Sequence, residues 1–369
     1  MWLVVRFLIL SLVVVVPAAA QVVVPVVSTT NRLVRIAASN LSSGSNQAYE
    51  APGIRLLQGL KPDIIAMQEF NYAANSTPDI QSLVDQITFT NGSSWFRETG
   101  YNIPNGIISR WPILESGSWV DADTGVNDRG FAWARINLPG TNDLYVVSVH
   151  LKASSGSANE LRREAQANQL KGLIQSNFPT NAWIVVAGDL NTYNTNEAPI
   201  DVFKTFLKTS PDAVDNVGDP DTNAGRNAPY DHVFASPTFA TNQVATVIGS
   251  ASYVNGLVFD SRVFTPLSAV APVQSTDSGV SNMQHMAVLK DFRVPYSFTN
   301  RVTLTPPFLT LRSSNRISWN GPSNLAFQVE TSGTLSAWAV AGESFSTATN
   351  YAFTNTSAAP ALFFRLRFP

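Results

Sequence analysis

The chain has 369 residues, 44% of them apolar, with three histidines and a formal net charge of −2. The absence of cysteine excludes disulfides, thiolate metal ligands and a thiol nucleophile. The slightly acidic balance predicts no strong basic patch. It therefore excludes tight nucleic-acid binding by bulk charge alone, though a bound cation can supply local positive charge.

Residues 1–20 read as a secretory signal peptide: Arg6, an apolar run over 7–16, then Pro17-Ala-Ala-Ala20, with cleavage expected before Gln21. The rival reading is an uncleaved anchor, because residues 22–27 extend the apolar character. Cleavage predicts a secreted, periplasmic or cell-surface protein, and no later stretch is apolar enough to span a bilayer. Mixed elements follow. Residues 33–38 read as a strand and 49–60 as a helix with Ile54, Leu56, Leu57 and Leu60 inward. Pro62 and Asp63 open a strand over 64–68. Strands are expected at 106–109, 131–136 and 144–150, and an amphipathic helix at 159–176, stopped by Asn177-Phe-Pro179. Further strands are expected at 183–187, 231–235 and 286–291, with a loop rich in Asp, Asn, Pro and Gly over 208–229. Beyond Pro295 the composition changes: residues 297–369 hold no lysine and show short strand-like runs between turn residues. They predict a small all-β, sandwich-like domain.

Polar groups collect where the apolar runs stop. In Gly188-Asp-Leu-Asn191, Asp189 and Asn191 lie two apart and share one face of an extended chain, although the same residues would also close a strand as an Asx turn. His150 ends a strand in the same manner, and His285 starts one. Glu69 finishes a buried run, where a carboxylate is costly without a cation or a donor. Asn40 follows the first strand, with a turn residue as the plain alternative. Asp231 begins a strand, and His232 beside it faces the opposite way and is assigned to structure. The acidic stretches at 219–225 and 121–125 fit a calcium loop poorly and read as solvated turns.

Taken in order, Ala38-Ser-Asn40, Gln68-Glu69, Ser148-Val-His150, Gly188-Asp-Leu-Asn191, Tyr230-Asp231-His-Val and Gln284-His285-Met-Ala-Val288 resemble the endonuclease/exonuclease/phosphatase superfamily, the deoxyribonuclease I-like metal-dependent phosphoesterases. The resemblance implies an α+β fold, a four-layer αββα sandwich over residues 31–294, followed here by the small all-β domain at 297–369. It implies Mg2+, or Mn2+ or Ca2+, held by Glu69 with Asn40. It makes Asp189 the group that activates the attacking water and has Asn191 hold a phosphate oxygen. His150 and the Asp231-oriented His285 would serve the transition state and the leaving oxygen. Hard oxygen ligands in a cysteine-free chain suit such cations independently.

The family pattern has aspartate directly before the last histidine; here Gln284 stands there, and at the metal it would keep an oxygen but lose a charge. The reading is therefore an exported phosphodiesterase, most simply an endonuclease with a nucleic-acid substrate, acting as a monomer. Two alternatives stay open. One is a non-catalytic binding or adhesion protein that kept the fold. The other is a sphingomyelinase-like lipid phosphodiesterase, for which Trp95-Phe96 and Trp111 are the candidate membrane-contacting aromatics. The C-terminal segment resembles tail domains of exported bacterial proteins, through Ile317-Ser-Trp319 and Ser336-Ala-Trp338.

Overall fold

The computed structural model describes residues 3–6, 22–87, 93–123, 126–138, 140, 142–304, 310–313, 316–320, 325–334, 337–346, 349–354, 356 and 363–367. The chain forms two compact units, one spanning Thr29–Ser297 and the other built from Met1–Ser28 with Phe298–Pro369.

The larger unit holds two facing sheets. The first runs, in spatial order, Gln243–Val244, Ala287–Leu304, Val22–Ser39, Ile64–Met67, Gly106–Ser109 and Ser94–Arg97, with Leu257–Phe259 also on Ala287–Leu304. The second runs Asp231–Ala235, Trp183–Asp189, Leu144–His150, Phe131–Ile136 and Ile113–Trp119. Alternation along each strand sorts the side chains into layers. Val34, Ile36, Ala38, Ile64, Ala66 and Ile107 of the first sheet share a core with Ala132, Ala134, Val146, Val185, Ala187 and Val233 of the second. The intervening positions face the helices. Ala37, Ile65 and Met67 join Leu56, Leu57, Leu60 and Leu83 of helices Ala51–Leu60 and Thr77–Ile87. Val147, Val149 and Val186 join Ala167, Leu170 and Ile174 of Ser157–Asn177. The result is helix, sheet, sheet, helix. Because the central strands are covered on both faces, they read as continuous apolar runs, and each buried Val, Leu or Ile contributes about 1.5–3 kcal/mol against exposure.

Most boundaries expected from the sequence coincide with the observed ones or lie within two residues of them, but the strands expected at 33–38 and 286–291 run on as Val22–Ser39 and Ala287–Leu304. The helix expected from residue 49 begins at Ala51, with Glu50 at the N-cap and Pro52 in its first turn. It ends at Lys61 in the left-handed region (φ 51°), whose N–H bonds to Leu57 O, just before Pro62. Helix Thr77–Ile87 and the outer strands Ser94–Arg97 and Ile113–Trp119 were not expected. The last has exposed Leu114, Glu115, Ser116 and Ser118, so its edge position left little apolar pattern to read.

The smaller unit is all-β. One sheet orders Leu3–Arg6, Phe363–Arg367, Leu325–Thr334 and Ala337–Ser346; the other orders Thr310–Ser313, Arg316–Asn320 and Asn350–Thr354. Ile317, Trp319 and Tyr351 meet Phe327, Val329, Phe364 and Leu366 in a shared core, with Trp319 stacked on Tyr351 at 5.5 Å. The expected signal peptide lies outside the described residues except for Leu3–Arg6, which pairs antiparallel with the last strand. No helix among the described residues is long and apolar enough to cross a membrane.

Candidate active site

Strand register assembles the centre. Leu144–His150 and Trp183–Asp189 pair in parallel with His150 opposite Asp189, and Asp231–Ala235 runs antiparallel with Asp231 opposite Asp189. Three functional groups thus end side by side on one sheet edge. The other sheet contributes through parallel pairing of Ser39 with Met67, whose next residues lead to Asn40 and Glu69. Gln68 Nε2 donates across the sandwich to Ser148 Oγ at 2.8 Å, and Ser148 Oγ donates to Met67 O at 3.0 Å.

Gly188 makes this closeness possible. Its φ is 142°, and a Cβ there would stand 2.1 Å from Val149 O and 2.6 Å from Gln68 Nε2. Any side chain would push the strands or the sheets apart. Left-handed backbone recurs at the site in Glu69 (φ 52°), in Asn191 (φ 51°) and in Gln47 (φ 53°), whose side chain reaches Glu69. Such conformations in non-glycine residues cost on the order of 1–3 kcal/mol and are held by surrounding contacts.

Asp189 is the hub. Its Oδ2 lies 3.2 Å from Asn40 Nδ2, 3.2 Å from Asn191 Nδ2, 3.2 Å from His150 Nε2 and 3.4 Å from His285 Nε2. Its Oδ1 accepts the Asn191 N–H at 2.8 Å, so the Asx turn and the functional pair are one structure. His285 Nδ1 meets Asp231 Oδ2 at 2.9 Å. Glu69 Oε1 accepts from Gln47 Nε2 at 2.9 Å and from Asn40 Nδ2 at 3.4 Å, and Glu69 Oε2 accepts from Ser42 Oγ. Asn40, Glu69, His150, Asp189, Asn191, Asp231 and His285 are all buried.

Burial pushes the Asp189 carboxyl up to about 7, opposed by the His285 charge and reinforced by Asp231. Burial works against the His285 cation, but the Asp231 and Asp189 carboxylates overcome it and lift the imidazole to about 10. His150 is held well below its ordinary value by burial, with the Arg129 and His285 charges acting in the same direction. One imidazole is therefore neutral and the other cationic, on either side of one carboxylate. Burial raises Glu69 as well, against Ser42, His285, Asn40 and Arg129.

The oxygen donors suit a divalent cation at the Glu69 end. Asn40 Oδ1 is buried without a hydrogen-bond partner, next to a buried carboxylate whose charge burial disfavours. Hard cations take such oxygens. Asp189, Asp231 and His285 also present ligand atoms within 4.8 Å of one another. These three already engage each other through His285, whereas Asn40 Oδ1 beside Glu69 has no partner.

Gln284 does not join this group. Its side chain is exposed, while its carbonyl accepts from Ala224 N at 2.7 Å. Neighbours on an extended segment face opposite ways, so turning His285 inward turns Gln284 outward. Gln284, expected at the metal, makes no hydrogen bond to Glu69 or Asn40 among the described residues. His232 faces away from the centre, with Nε2 2.8 Å from Pro229 O and 3.1 Å from Thr192 Oγ1. Trp95 is half-buried, its Nε1 donating to Gln81 Oε1 at 2.7 Å, Phe96 packs against the inter-sheet core, and Trp111 is buried. None of the three forms an exposed aromatic hairpin.

Several supporting groups gave no sequence signal. Ser42 and Gln47 hold Glu69 from an irregular loop. Buried Arg129 donates from Nε to His150 O at 2.9 Å and sends its charge into the cluster. Tyr230 places its ring 5.7 Å from that of His285 and 5.2 Å from that of Tyr193, giving the site a half-buried aromatic rim. Only Tyr230, as neighbour of Asp231, lay within a recognisable motif.

A sequence profile of the Endonuclease/Exonuclease/phosphatase family matches residues 54–273, more than half of the chain. The chain belongs to this family. Its members are metal-dependent hydrolases of phosphodiester bonds. No curated protein matches the sequence. Among solved structures, the chain is similar to an endonuclease/exonuclease/phosphatase from Beutenbergia cavernae DSM 12333, at 14% identity over 92% of this chain and 100% of that one (TM-score 0.48). An AP endonuclease from Archaeoglobus fulgidus is similar at 14% identity over 70% and 99% of the two chains (TM-score 0.45). TDP2 from C. elegans is similar at 12% identity over 71% and 75% (TM-score 0.45).

Proposed function

We propose that this protein is an exported, monomeric, divalent-metal-dependent phosphodiesterase that acts as an endonuclease on nucleic acid. The division into a catalytic segment, 31–294, and a β-domain, 297–369, belongs to the same proposal. The observation that carries it is the placement of Asp189 Oδ2 within 3.4 Å of four side-chain nitrogens, from Asn40, Asn191, His150 and His285. In-line hydrolysis needs a base for water, neutral or cationic donors for the phosphoryl oxygens, and a proton for the departing oxygen. Asp189, raised to about 7, accepts the water proton near neutrality. Asn191 and neutral His150 offer N–H donors to the phosphate. His285, held charged by Asp231, stabilises the developing negative charge and has a proton to give.

Glu69 and Asn40 would hold Mg2+, with Mn2+ or Ca2+ as substitutes. A bound cation of this kind neutralises charge on the non-bridging oxygens. The buried placement of Trp111 and the packing of Trp95 and Phe96 argue against a lipid interface as the substrate source.

The test is a panel of plasmid DNA, RNA, sphingomyelin vesicles and a chromogenic phosphodiester, each with Mg2+ or EDTA. Magnesium-dependent nicking of DNA that is lost in Asp189→Asn is the expected result. Turnover of sphingomyelin alone would replace the substrate class. No turnover on any member would favour a binding protein that kept the fold.

A further inference from the structure

The acidic loop that resembles a poor calcium loop is closed by a cation from its own chain. Arg226 sits in it with left-handed backbone (φ 51°). Its Nη2 donates to Asp215 Oδ2 at 2.8 Å and pairs with Asp219 Oδ2 at 3.2 Å, while Nη1 donates to Asp260 Oδ2 at 2.7 Å. Its Nε donates to Asp221 O at 2.8 Å. The Asp215 and Asp260 carboxylates are each 2% exposed; Arg262 also pairs with Asp260 at 2.7 Å, but among the described residues Arg226 is the cation that reaches Asp215, so without it a buried negative charge would stand uncompensated.

The turn so fixed grips the catalytic histidine. Arg226 N–H donates to Asn223 O at 2.9 Å, and Thr222 and Asn223 N–H groups both donate to Ala228 O, at 2.9 and 3.1 Å. On its other edge the turn pairs with the His285 segment: Ala224 N donates to Gln284 O and Met286 N donates to Thr222 O, each at 2.7 Å. Asn223 thereby stands opposite His285. The same Thr222 receives the Asp231 N–H on its Oγ1 at 2.8 Å. One three-residue run thus sets both members of the His285–Asp231 pair.

We propose that Arg226 is a positioning residue: by clamping Asp215, Asp219 and Asp260 it holds residues 222–224 in the register that keeps His285 on Asp189 and Asp231. The kinetic part of this inference rests on the phosphodiesterase reading; the positioning itself does not. Misplacing a catalytic group by about 1 Å costs on the order of 10²-fold in rate. Arg226→Ala is expected to lower kcat by about that factor with KM nearly unchanged, since Arg226 touches no substrate. Arg226→Lys, which can pair with one or two of the carboxylates, falls between, and millimolar guanidinium ion restores part of the Arg226→Ala rate.

Hydrogen–deuterium exchange supplies a readout independent of activity. At a temperature well below melting, Arg226→Ala should expose the amides of 222–224 and 284–286 while 183–189 stays protected as in wild type. If alanine does not fold, the lysine variant is judged by the same measurements. Unchanged exchange at 284–286, or a wild-type kcat in the folded variant, overturns the proposal. So does a loss that neither lysine nor guanidinium repairs. If wild-type protein turns over no phosphodiester, the functional reading falls, and the exchange result alone still decides the role of Arg226.

Discussion

Acid should unfold the catalytic unit partly through His232, and the effect can be isolated. Its imidazole is buried, and burial pushes it from 6.5 down to about 4, with the Lys290 charge acting in the same direction and the Pro229 carbonyl against it. Between those two values the unfolded chain binds a proton that the folded chain refuses. Stability therefore falls as pH drops through this window and levels off below about 4. At about 1.4 kcal/mol per pKa unit the loss is about 3 kcal/mol, a large share of the roughly 5–15 kcal/mol that holds a typical domain. His232→Gln keeps an N–H donor for Pro229 O but loses the ring packed 4.9 Å from Phe234. At pH 7 the variant should be less stable by about 1 kcal/mol. By pH 4 the order should invert, because glutamine has no proton to refuse. Urea unfolding followed by tryptophan fluorescence at pH 7, 5.5 and 4 measures this, and His150, depressed in both proteins, cancels in the difference. Wild-type and variant stabilities that run parallel across the range would refute the reasoning.

Further predictions concern the site. Asp189→Asn should cost about 10²–10⁴ in kcat with an unchanged melting temperature, since it removes a base at a strand end and leaves the core intact; calorimetry beside kinetics checks both halves. The kcat/KM profile should rise with pH to about 7, where Asp189 becomes ionised, and fall above about 10, where His285 loses its proton. Glu69→Gln should raise the magnesium needed for half-maximal rate, read from a metal titration. Gln284→Asp should leave that titration unaltered, because the side chain at 284 is exposed and outside the cluster.

The chemistry of this chain was legible because buried strands terminate in single polar groups. Apart from Ser148, the buried positions of 144–150 and 183–189 are apolar until His150 and Asp189, and no core reason explains a carboxylate there. The mixture of strands and helix Ser157–Asn177 was legible from periodicity, whereas the layering came only with the family resemblance that the ordered motifs carry. A motif records adjacency in sequence, whereas an extended backbone sends neighbours to opposite faces, and Gln284 is exposed where His285 is buried. Ser42, Gln47 and Arg129 could not be read at all: they reach the site from irregular loops, and no period links them to Glu69 or His150. Arg226 stood in plain view within an acidic stretch, but its role depends on Asp260, thirty-four positions away in sequence.

Both sheets contribute to the site. His150, Asp189 and Asp231 come from adjacent strands of one sheet, where register sets their spacing. Those three residues bring one imidazole and two carboxylates; the second imidazole, His285, comes from the facing sheet, whose strand Ala287–Leu304 begins two residues after it. Asn40 and Glu69 come from that sheet too and bring the unpartnered amide oxygen and a third carboxylate. Function therefore depends on the distance between sheets, which side-chain volume in the shared core sets along most of the sandwich and which Gly188 and the Gln68–Ser148 bond set at its catalytic edge. A substitution that enlarges residue 188 removes no functional side chain, but it presses on Val149 O of the neighbouring strand and on Gln68 of the facing sheet, and so shifts Asp189 against His150 and against Asn40 and Glu69. Gly188→Ala should accordingly abolish turnover, through a Cβ that meets Val149 O and Gln68 Nε2 at 2.1 and 2.6 Å, while Asn191 and Asp189 keep their own hydrogen bond at 2.8 Å.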